Sequence, residues 1–210
     1  MTPILERDGI KIYQDDDPMN PRTEGGNLGT MVCFHSRYDL GDKHEYNQET
    51  YNKNELETAI RNDHNPCIIL PTYLLDHSGL AMNTTGFSCP WDSGQIGFIY
   101  CPQARALAEG VPFQDVERVL NQEVETYNQY LQGECYGYVR NVTKQYVLDR
   151  NDQILKNDEV LFRLVEANAE HADLVLEALN AYDPGESDAC WGFYGYTPKA
   201  LAEAVLKGEI

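Results

Sequence analysis

Five side chains in the first half of the sequence are of types that could form a reaction centre or bind a metal ion. Four of them fall within residues 74–100, a stretch that is also rich in glycine. The five are His35, Asp76, His77, Cys89 and Asp92. Carboxylate, imidazole and thiolate groups can all ligate a transition metal. One hypothesis therefore places all five in the pocket of a small metal- or nucleotide-dependent enzyme, or of a ligand-binding protein.

The same stretch also fits a purely structural role. Its glycines lie beside Ser, Asn, Thr and Pro, which is typical of turns. Asp76 and His77 are adjacent, so in a strand they point to opposite faces of the sheet. No potential ligands have a fixed local spacing, as two histidines on one helical face would have. This pattern favours strands and turns, and it predicts a protein without a metal or other cofactor.

The structural interpretation makes specific predictions for residues 74–100. It predicts strand and turn at the centre of a sheet, with Asp92 in a turn and Trp91 buried beside it. It also predicts that the backbone requires glycine at Gly94 and Gly97, so that alanine at either position would destabilise the fold.

No established catalytic motif accompanies these residues. The segment GGNLG at 25–29 lacks the Lys-Ser/Thr of a phosphate-binding loop, and no serine lies in a G-x-S-x-G nucleophile elbow. The six cysteines are far apart and mostly in apolar surroundings, which is typical of reduced core thiols. The sequence therefore predicts no catalytic residue and favours a protein that is not an enzyme.

The elements that must position these side chains alternate irregularly between strands and helices. The predicted strands are 9–14, 30–38, 67–75, 94–101, 135–142 and 189–196, and the predicted helical segments are 53–63, 102–133, 158–182 and 197–208. Pro71 indicates that strand 67–75 lies at an edge or carries a bulge. Short connections favour an α+β fold with a mainly antiparallel sheet flanked by helices.

The charge of the chain limits its partners. The chain has 34 acidic and 16 basic residues, a formal net charge of -18 and a pI near 4.5. Nucleic acid and anionic membranes would repel such a chain, whereas basic surfaces would attract it. Solubility alone is the alternative explanation. Charges stand where a secretion signal needs an apolar run, and no stretch reaches the roughly 20 apolar residues of a membrane helix, so a cytoplasmic protein is expected.

Two acidic segments are candidates for binding a basic partner. In the predicted helix 158–182, five acidic side chains fall within an arc of roughly 60°, opposite an apolar face. They are Glu159, Glu166, Glu170, Asp173 and Glu177. The second segment is the turn formed by Asp15, Asp16 and Asp17. Like charges at helical spacing cost roughly 0.2–0.5 kcal/mol per pair, which indicates a cationic partner, although a plain solvated face is the alternative.

Four blocks of sequence carry a resemblance to a known group of proteins. They are NLGTMVCFHSRYDLGD (27–42), LPTYLLDHSGLAMNTTGFSCPWDSGQIGFIY (70–100), EVETYNQYLQGECYGYV (123–139) and DACWGFYG (188–195). In this order they resemble a family of uncharacterised small proteins carried by bacteriophages and integrated mobile elements. The resemblance implies a phage or mobile-element origin and action inside a bacterium, and it implies no catalytic residue.

The resemblance also bears on domain organisation. In the family, strands like CYGYV and CWGFYG are joined by a short turn, which implies that they pair as a hairpin here. In this chain residues 143–187 intervene and include the acidic helix. We therefore predict an α+β core domain of residues 1–142 plus 188–210, with 143–187 as an inserted helical segment near the C-terminus.

These observations favour a phage or mobile-element protein that inhibits a host defence system of the anti-CRISPR or anti-restriction type. Defence nucleases expose Lys and Arg channels that hold phosphates, and an acidic protein can occupy such a channel as a nucleic-acid mimic. Its partner would be a host defence effector in the bacterial cytoplasm, with neither nucleic acid nor a membrane bound directly. The alternative is an enzyme or ligand-binding protein built on the His/Asp pocket. A structural or regulatory phage protein is a third hypothesis.

Overall fold

The computed structural model describes residues 2–23, 26–141, 147–148, 154–155 and 187–210 of the chain. The chain forms two compact units. The first comprises Met1–Tyr13, Gly137–Cys190 and Pro198–Ile210, and the second comprises Gln14–Tyr136 and Trp191–Thr197. The described residues form helices and antiparallel sheets, so the predicted α+β class is confirmed. Among the described helices, none has both the length and the apolar composition to cross a membrane.

The elements follow one another in an irregular order of strands and helices. The strands are β1 (Leu5–Arg7), β2 (Ile10–Gln14), β3 (Thr30–Cys33), β4 (Pro66–Asp76), β5 (Leu80–Asn83), β6 (Ser93–Pro102), β7 (Tyr136–Asn141), β8 (Val147–Leu148), β9 (Ile154–Leu155) and β10 (Ser187–Phe193). The helices are α1 (Lys53–His64), α2 (Gln103–Ala108), α3 (Phe113–Gln132) and α4 (Pro198–Lys207). Each strand and helix that the sequence predicts outside residues 143–187 is therefore present.

The first unit contains most of a four-stranded sheet in the order β1-β2-β7-β10. Strands β1 and β2 form a hairpin whose two-residue turn is Asp8-Gly9, both with positive φ. Asp-Gly is a favoured pair for such a turn because both positions need a left-handed backbone. Strands β7 and β10 are neighbours in this sheet, so the predicted pairing of these two segments is confirmed.

The second unit is built on a sheet in the order β3-β6-β4-β5, in which β6 and β4 are the central strands. Strand β6 pairs antiparallel with both β3 and β4, and β4 pairs antiparallel with β5. Residues 74–100 therefore run from the end of β4 through β5 to most of β6. The prediction of strand and turn is confirmed. The predicted central position holds for the residues of β4 and β6 but not for β5, which is an edge strand of the sheet.

Helices lie on both faces of this second sheet. Because successive residues of a strand point to opposite faces, each face has its own buried cluster. The buried cluster on the α3 face includes Met31, Ile99, Cys101, Leu120 and Tyr127. The buried cluster on the α1 face includes Val32, Phe98, Tyr100, Leu56 and Ile60. Helix α1 starts with a capping box, in which Asn52 accepts from the Glu55 backbone N–H and the Glu55 side chain accepts from that of Asn52. Helix α3 ends before Gly133, as the sequence predicts.

Two strands differ from the sequence prediction in an informative way. The predicted strand 30–38 ends at Cys33, so His35 lies in the loop that follows β3. Pro71 lies within a central strand rather than an edge strand, where it pairs with Phe98. It is tolerated because β5 pairs only with residues Tyr73 to Asp76, so no ladder on that side needs a Pro71 N–H. A bulge follows directly, between Thr72 and Tyr73.

Gly97 is required by the close approach of two strands. A Cβ atom at Gly97 would lie 1.8 Å from the backbone oxygen of Val32 in the paired strand β3. Gly94 differs, because a Cβ atom there would meet nothing within 4 Å and its φ is not positive. The prediction that the backbone requires glycine therefore fits Gly97 and is wrong for Gly94, which lies where β6 begins and is exposed.

A buried ion-pair network, which we refer to as the Arg22 network, fixes the long loop around β3 to α3. The Arg22 side chain is only 1% exposed, and its guanidinium donates to both carboxylate oxygens of Asp42, at 2.9 and 2.6 Å. It also donates to Glu123 of α3 at 3.0 Å and to the carbonyl of Gly29 at 2.9 Å. Burial alone would lower the pKa of Arg22, but the hydrogen bonds and charges of Asp42 and Glu123 raise the pKa above its usual value.

The cysteines are all free thiols. Cys33, Cys101 and Cys135 are buried as predicted, and burial raises the pKa of Cys33 to about 12. Cys190 is exposed, which differs from the prediction of a core thiol. The reason is that the described residues cover neither face of β10 at this point, since residues 189–192 are all exposed.

The predicted inserted segment lies largely outside the described residues. Of residues 143–187, the structure describes the two-stranded pair of β8 and β9 and the first residue of β10. The predicted acidic helix 158–182 lies outside the described residues. The division into a core of 1–142 plus 188–210 and an insert of 143–187 stays a prediction.

Candidate functional site

Three chain segments meet at one end of the second sheet. Strand β3 ends opposite Gly97 of β6, and β4 ends near the beginning of β6, where Leu75 pairs with Ser93. The loop after β3, the turn between β4 and β5, and the loop before β6 are therefore neighbours, as antiparallel pairing requires. These three segments carry all five residues that the sequence proposes for a pocket.

Asp92 is the centre of one group of contacts at this end. Its Oδ2 atom lies 2.9 Å from Nδ1 of His77 and 3.6 Å from the Cys89 sulfur, which donates to it. The backbone oxygen of Asp92 accepts from the Asp76 N–H at 2.8 Å. The Ser93 hydroxyl donates to the carbonyl of Cys89 and closes the turn from the other side. The loop 88–93 is thus braced against the end of β4.

Arg37 connects the remaining two residues. Its guanidinium donates to the Asp76 carboxylate, and its backbone N–H donates to Nδ1 of His35 at 3.3 Å. The His35 ring stacks on Tyr38 with 4.9 Å between centroids. The Arg37 guanidinium carbon also lies 5.4 Å from the centre of the Tyr38 ring. His35 and Asp76 therefore share Arg37 as a partner.

The adjacent residues Asp76 and His77 serve different partners. Asp76 ends β4 and binds Arg37 from the loop after β3, whereas His77 begins the turn and binds Asp92. The His77 side chain is 70% exposed and that of Asp92 is 39% exposed. The group of contacts is therefore open to solvent.

The geometry supports a braced turn more than an activated nucleophile. In a catalytic triad the imidazole lies between the nucleophile and the carboxylate, so that it can take the proton of the nucleophile. Here the Asp92 carboxylate lies between Cys89 and His77, and the Cys89 thiol donates to the carboxylate. Among the described residues, no group of three or more His, Cys, Asp or Glu side chains is arranged to hold a metal ion.

Trp91 is exposed, so the prediction that it is buried is wrong. Its side chain lies at the tip of the turn with 91% of its surface accessible. The reason lies in the two flanking residues: the Cys89 thiol donates to the Asp92 carboxylate, which draws the two ends of the turn together. Pro90 and Trp91, the residues between them, are left at the outside of the turn.

The acidic turn at residues 15–17 has a structural part and an exposed part. Asp15 donates its N–H to the carbonyl of Cys135 at 2.9 Å, and its Oδ1 accepts from the Asp17 N–H at 3.1 Å. The Cys135 thiol donates to the second Asp15 oxygen. Asp16 and Asp17 are exposed. The helical candidates Glu159, Glu166, Glu170, Asp173 and Glu177 lie outside the described residues.

Two open grooves run beside α1, away from the five residues. The larger has a volume of about 440 Å³ and is lined by one face of α1, including Asn54, Thr58 and Asn62. The other, of about 310 Å³, lies between α1 and β6 and is lined by Tyr51, Phe98 and others. Neither of these two grooves is lined by any of the five residues.

Sequence reasoning missed Arg37 and Tyr38, which complete the group of contacts. Arg37 follows His35 by two residues in FHSRY, and the only signal was a basic side chain between two aromatic rings.

No protein-family model, curated protein or solved structure matches this chain. We refer to Arg37, Asp76, His77, Trp91 and Asp92 as the turn surface.

Proposed function

We propose that the protein is a non-enzymatic acidic inhibitor that binds a basic, nucleic-acid-binding surface of a bacterial defence effector. The observation that carries the proposal is an excess of carboxylates on a chain whose basic side chains, among the residues that the structure describes, mostly pair with its own acidic ones. The chain has a net charge of -18. Its surface therefore offers negative charge to a partner.

Most basic side chains of the described residues form ion pairs within the chain. The pairs are Arg7 with Asp8 and Glu203, Lys11 with Glu6, Arg22 with Asp42 and Glu123, Arg37 with Asp76, Arg61 with Glu57, Arg118 with Asp115, Arg140 with Asp188, and Lys207 with Glu209. Each of these basic side chains is therefore less available to offset the remaining carboxylates.

Many carboxylates of the second unit stay exposed without an ion pair among the described residues. They include Asp16, Asp17, Glu45, Glu49, Glu109, Glu117, Glu125 and Glu134. Lys and Arg channels of nucleases hold phosphates by the same Coulomb attraction that such carboxylates would use. Complementary charge also speeds association by steering the two proteins together.

The class of partner follows from the resemblance to proteins of bacteriophages and mobile elements. Such a protein would act in the cytoplasm of a bacterial host, where restriction and CRISPR effectors expose basic nucleic-acid channels. This supports a defence effector over other basic proteins of the cell.

The experiment that tests the proposal is a DNA-displacement assay. Labelled DNA is bound to a purified restriction endonuclease or a guide-loaded CRISPR nuclease, and the acidic protein is added at increasing concentration. We expect displacement of the DNA from at least one effector of such a panel. No displacement from any effector, even at low salt, would contradict the proposal.

A matched pair of variants locates the contact in the same assay. One variant changes Glu159, Glu166, Glu170 and Glu177 to Gln and Asp173 to Asn, and the other changes Asp16 and Asp17 to Asn. Each substitution removes charge with little change in side-chain size. We expect the variant that carries the contact to displace less DNA and the other to displace as much as the wild type.

A second candidate function is binding of a small ligand or a metal by His35, Asp76, His77, Cys89 and Asp92. The observation that favours it is that the structure brings these five residues to one end of a sheet. Elemental analysis tests the metal form of this function. About one zinc, iron or manganese per chain would favour it over the inhibitor, and these five residues would be mutated first.

A further inference from the structure

We propose that the turn surface binds the cationic side chain of an arginine or lysine on the basic partner. The indole of Trp91 would cover the cation, and the Asp92 carboxylate would bind it from the side. The proposal rests on the proposed function, since it names the chemistry by which a basic protein is recognised. It adds a specific binding site, which the net charge of the chain alone does not locate.

Trp91 is the first observation. Its 91% exposure exceeds that of every other large apolar side chain in the described part of the chain, the next being Leu107 at 69%. Single apolar residues are common on protein surfaces and need no partner. Tryptophan is nevertheless the side chain most enriched where binding energy is concentrated, so its surroundings decide the interpretation.

The second observation is that the turn presenting Trp91 is held in place. Cys89 and Ser93 are joined to each other, Cys89 and His77 both bind Asp92, and the Asp92 carbonyl is bound by the end of β4. A partner would therefore not have to order this loop on binding. Pre-organisation of this kind lowers the entropic cost of association.

The third observation is the charge of Asp92, which follows Trp91 directly in the chain. Asp92 uses Oδ2 for both of its side-chain contacts, and its Oδ1 accepts no hydrogen bond from the described residues. The sequence has no lysine or arginine between Arg61 and Arg105. The sole guanidinium of the turn surface, Arg37, is already bound to Asp76.

These surroundings select a cation over other occupants. An indole face attracts a guanidinium or ammonium group, most strongly among the aromatic side chains. The carboxylate of the neighbouring residue, Asp92, would add a charge-assisted hydrogen bond. A purely apolar pocket on the partner would instead bury the charged Asp92 and the polar His77 without offering either of them a hydrogen bond or an opposite charge. A nucleic-acid base would bring phosphates toward a chain with a net charge of -18.

The test uses the full-length protein and a labelled oligo-arginine peptide, with the uncharged isostere oligo-citrulline as the matched peptide. Binding is measured by fluorescence anisotropy for the wild type and for Trp91→Ala, Trp91→Phe and Trp91→Leu. Leu107→Ala is the control, because it removes an exposed apolar side chain elsewhere in the same unit. Thermal unfolding of every variant verifies that it is folded.

We expect oligo-arginine to bind the wild type and oligo-citrulline to bind far more weakly. Trp91→Ala and Trp91→Leu should each lower the affinity about tenfold, Trp91→Phe less, and Leu107→Ala not at all. Unchanged affinity of Trp91→Ala would overturn the proposal. Full affinity of Trp91→Leu, or equal binding of oligo-citrulline, would overturn it in favour of apolar docking. Tighter binding of labelled single-stranded DNA than of oligo-arginine would overturn it in favour of base stacking.

The DNA-displacement assay separates this inference from the proposed function. If wild type and Trp91→Ala displace DNA equally well, the turn surface is not the contact and the inference fails, while the inhibitor function stands. If Trp91 is needed for oligo-arginine binding but the wild type displaces no DNA from any effector, the inference stands and the inhibitor function fails.

Discussion

The second unit contains two groups of carboxylates that use similar bonds in opposite surroundings. In the Arg22 network, Asp42 and Glu123 bind a guanidinium that is 1% exposed, and they also accept from backbone N–H groups just before β3 and within it. In the turn surface, Asp92 and Asp76 bind His77 and Arg37 at the solvent boundary. One group connects a loop to a helix inside the unit, whereas the other fixes a turn and leaves an indole in solvent.

The difference shows that the surroundings of an ion pair decide what it contributes. Removing one partner of a buried pair leaves an uncompensated charge, which costs about 3–5 kcal/mol. An exposed pair contributes about 0–1 kcal/mol, because water solvates each partner when the other is lost. The Arg22 network should therefore determine stability, and the turn surface should have little influence on it.

The largest effect is expected for Arg22→Met. The substitution keeps an unbranched side chain but leaves Asp42 and Glu123 without their cation in a largely buried site. We expect a loss of about 3–5 kcal/mol in the free energy of unfolding, measured by urea denaturation. Arg61→Met is the control, because Arg61 forms an exposed pair with Glu57 four residues earlier. If both variants lose the same free energy, the contrast between the two groups is wrong.

The next largest effect is expected for Gly97→Ala, which acts on the strand pair between the two groups. Its Cβ atom would collide with the Val32 oxygen, so β3 and β6 would have to separate. We expect a loss of about 1–3 kcal/mol, as for other overpacked sites. Gly94→Ala provides the matched control and should unfold like the wild type, since open space surrounds that position. Equal stability of Gly97→Ala and wild type would contradict the strand pairing described here.

A smaller effect is expected for Asp92→Asn. The substitution removes the negative charge that both His77 and Cys89 contact, but the site is open to water. We expect a loss of no more than about 1 kcal/mol in the free energy of unfolding. A loss as large as that of Arg22→Met would show that the turn surface supports the fold and is not mainly a binding surface.

The smallest effect on stability is expected for Trp91→Ala. The indole buries almost no surface in the unit, so little transfer free energy is lost with it. The midpoint of thermal unfolding should stay at the wild-type value. A clear decrease would indicate that Trp91 packs against the unit in solution, in agreement with the original expectation of a buried side chain.

Sequence periodicity predicts the elements, because their patterns are local. The apolar stripe of α3 repeats every three to four residues, and the strands of the second sheet are apolar runs between turn residues. The sequence also singles out the five candidate residues, because their types can ligate a metal and four of them lie in one short stretch. The structure adds that they meet because antiparallel strands bring three loops to one end of the sheet.

Other features depend on three-dimensional contacts that no local pattern in the sequence indicates. Arg22 is separated by 20 residues from Asp42 and by 101 from Glu123, so no local pattern indicates the network. The exposure of Trp91 depends on which side chains of one turn face inward, and composition does not determine that. Gly94 and Gly97 lie three residues apart in the same strand, yet only Gly97 faces a backbone oxygen of the next strand.

The most direct test of the central claim is the salt dependence of the affinity between this protein and a defence effector that it inhibits. If carboxylates replace phosphates in a basic channel, the exposed charges are screened over about 8 Å at physiological ionic strength, and the affinity must fall as salt rises. The account predicts a steady decrease in the logarithm of the affinity with the logarithm of the salt concentration. An affinity that is the same at low and high salt would contradict it.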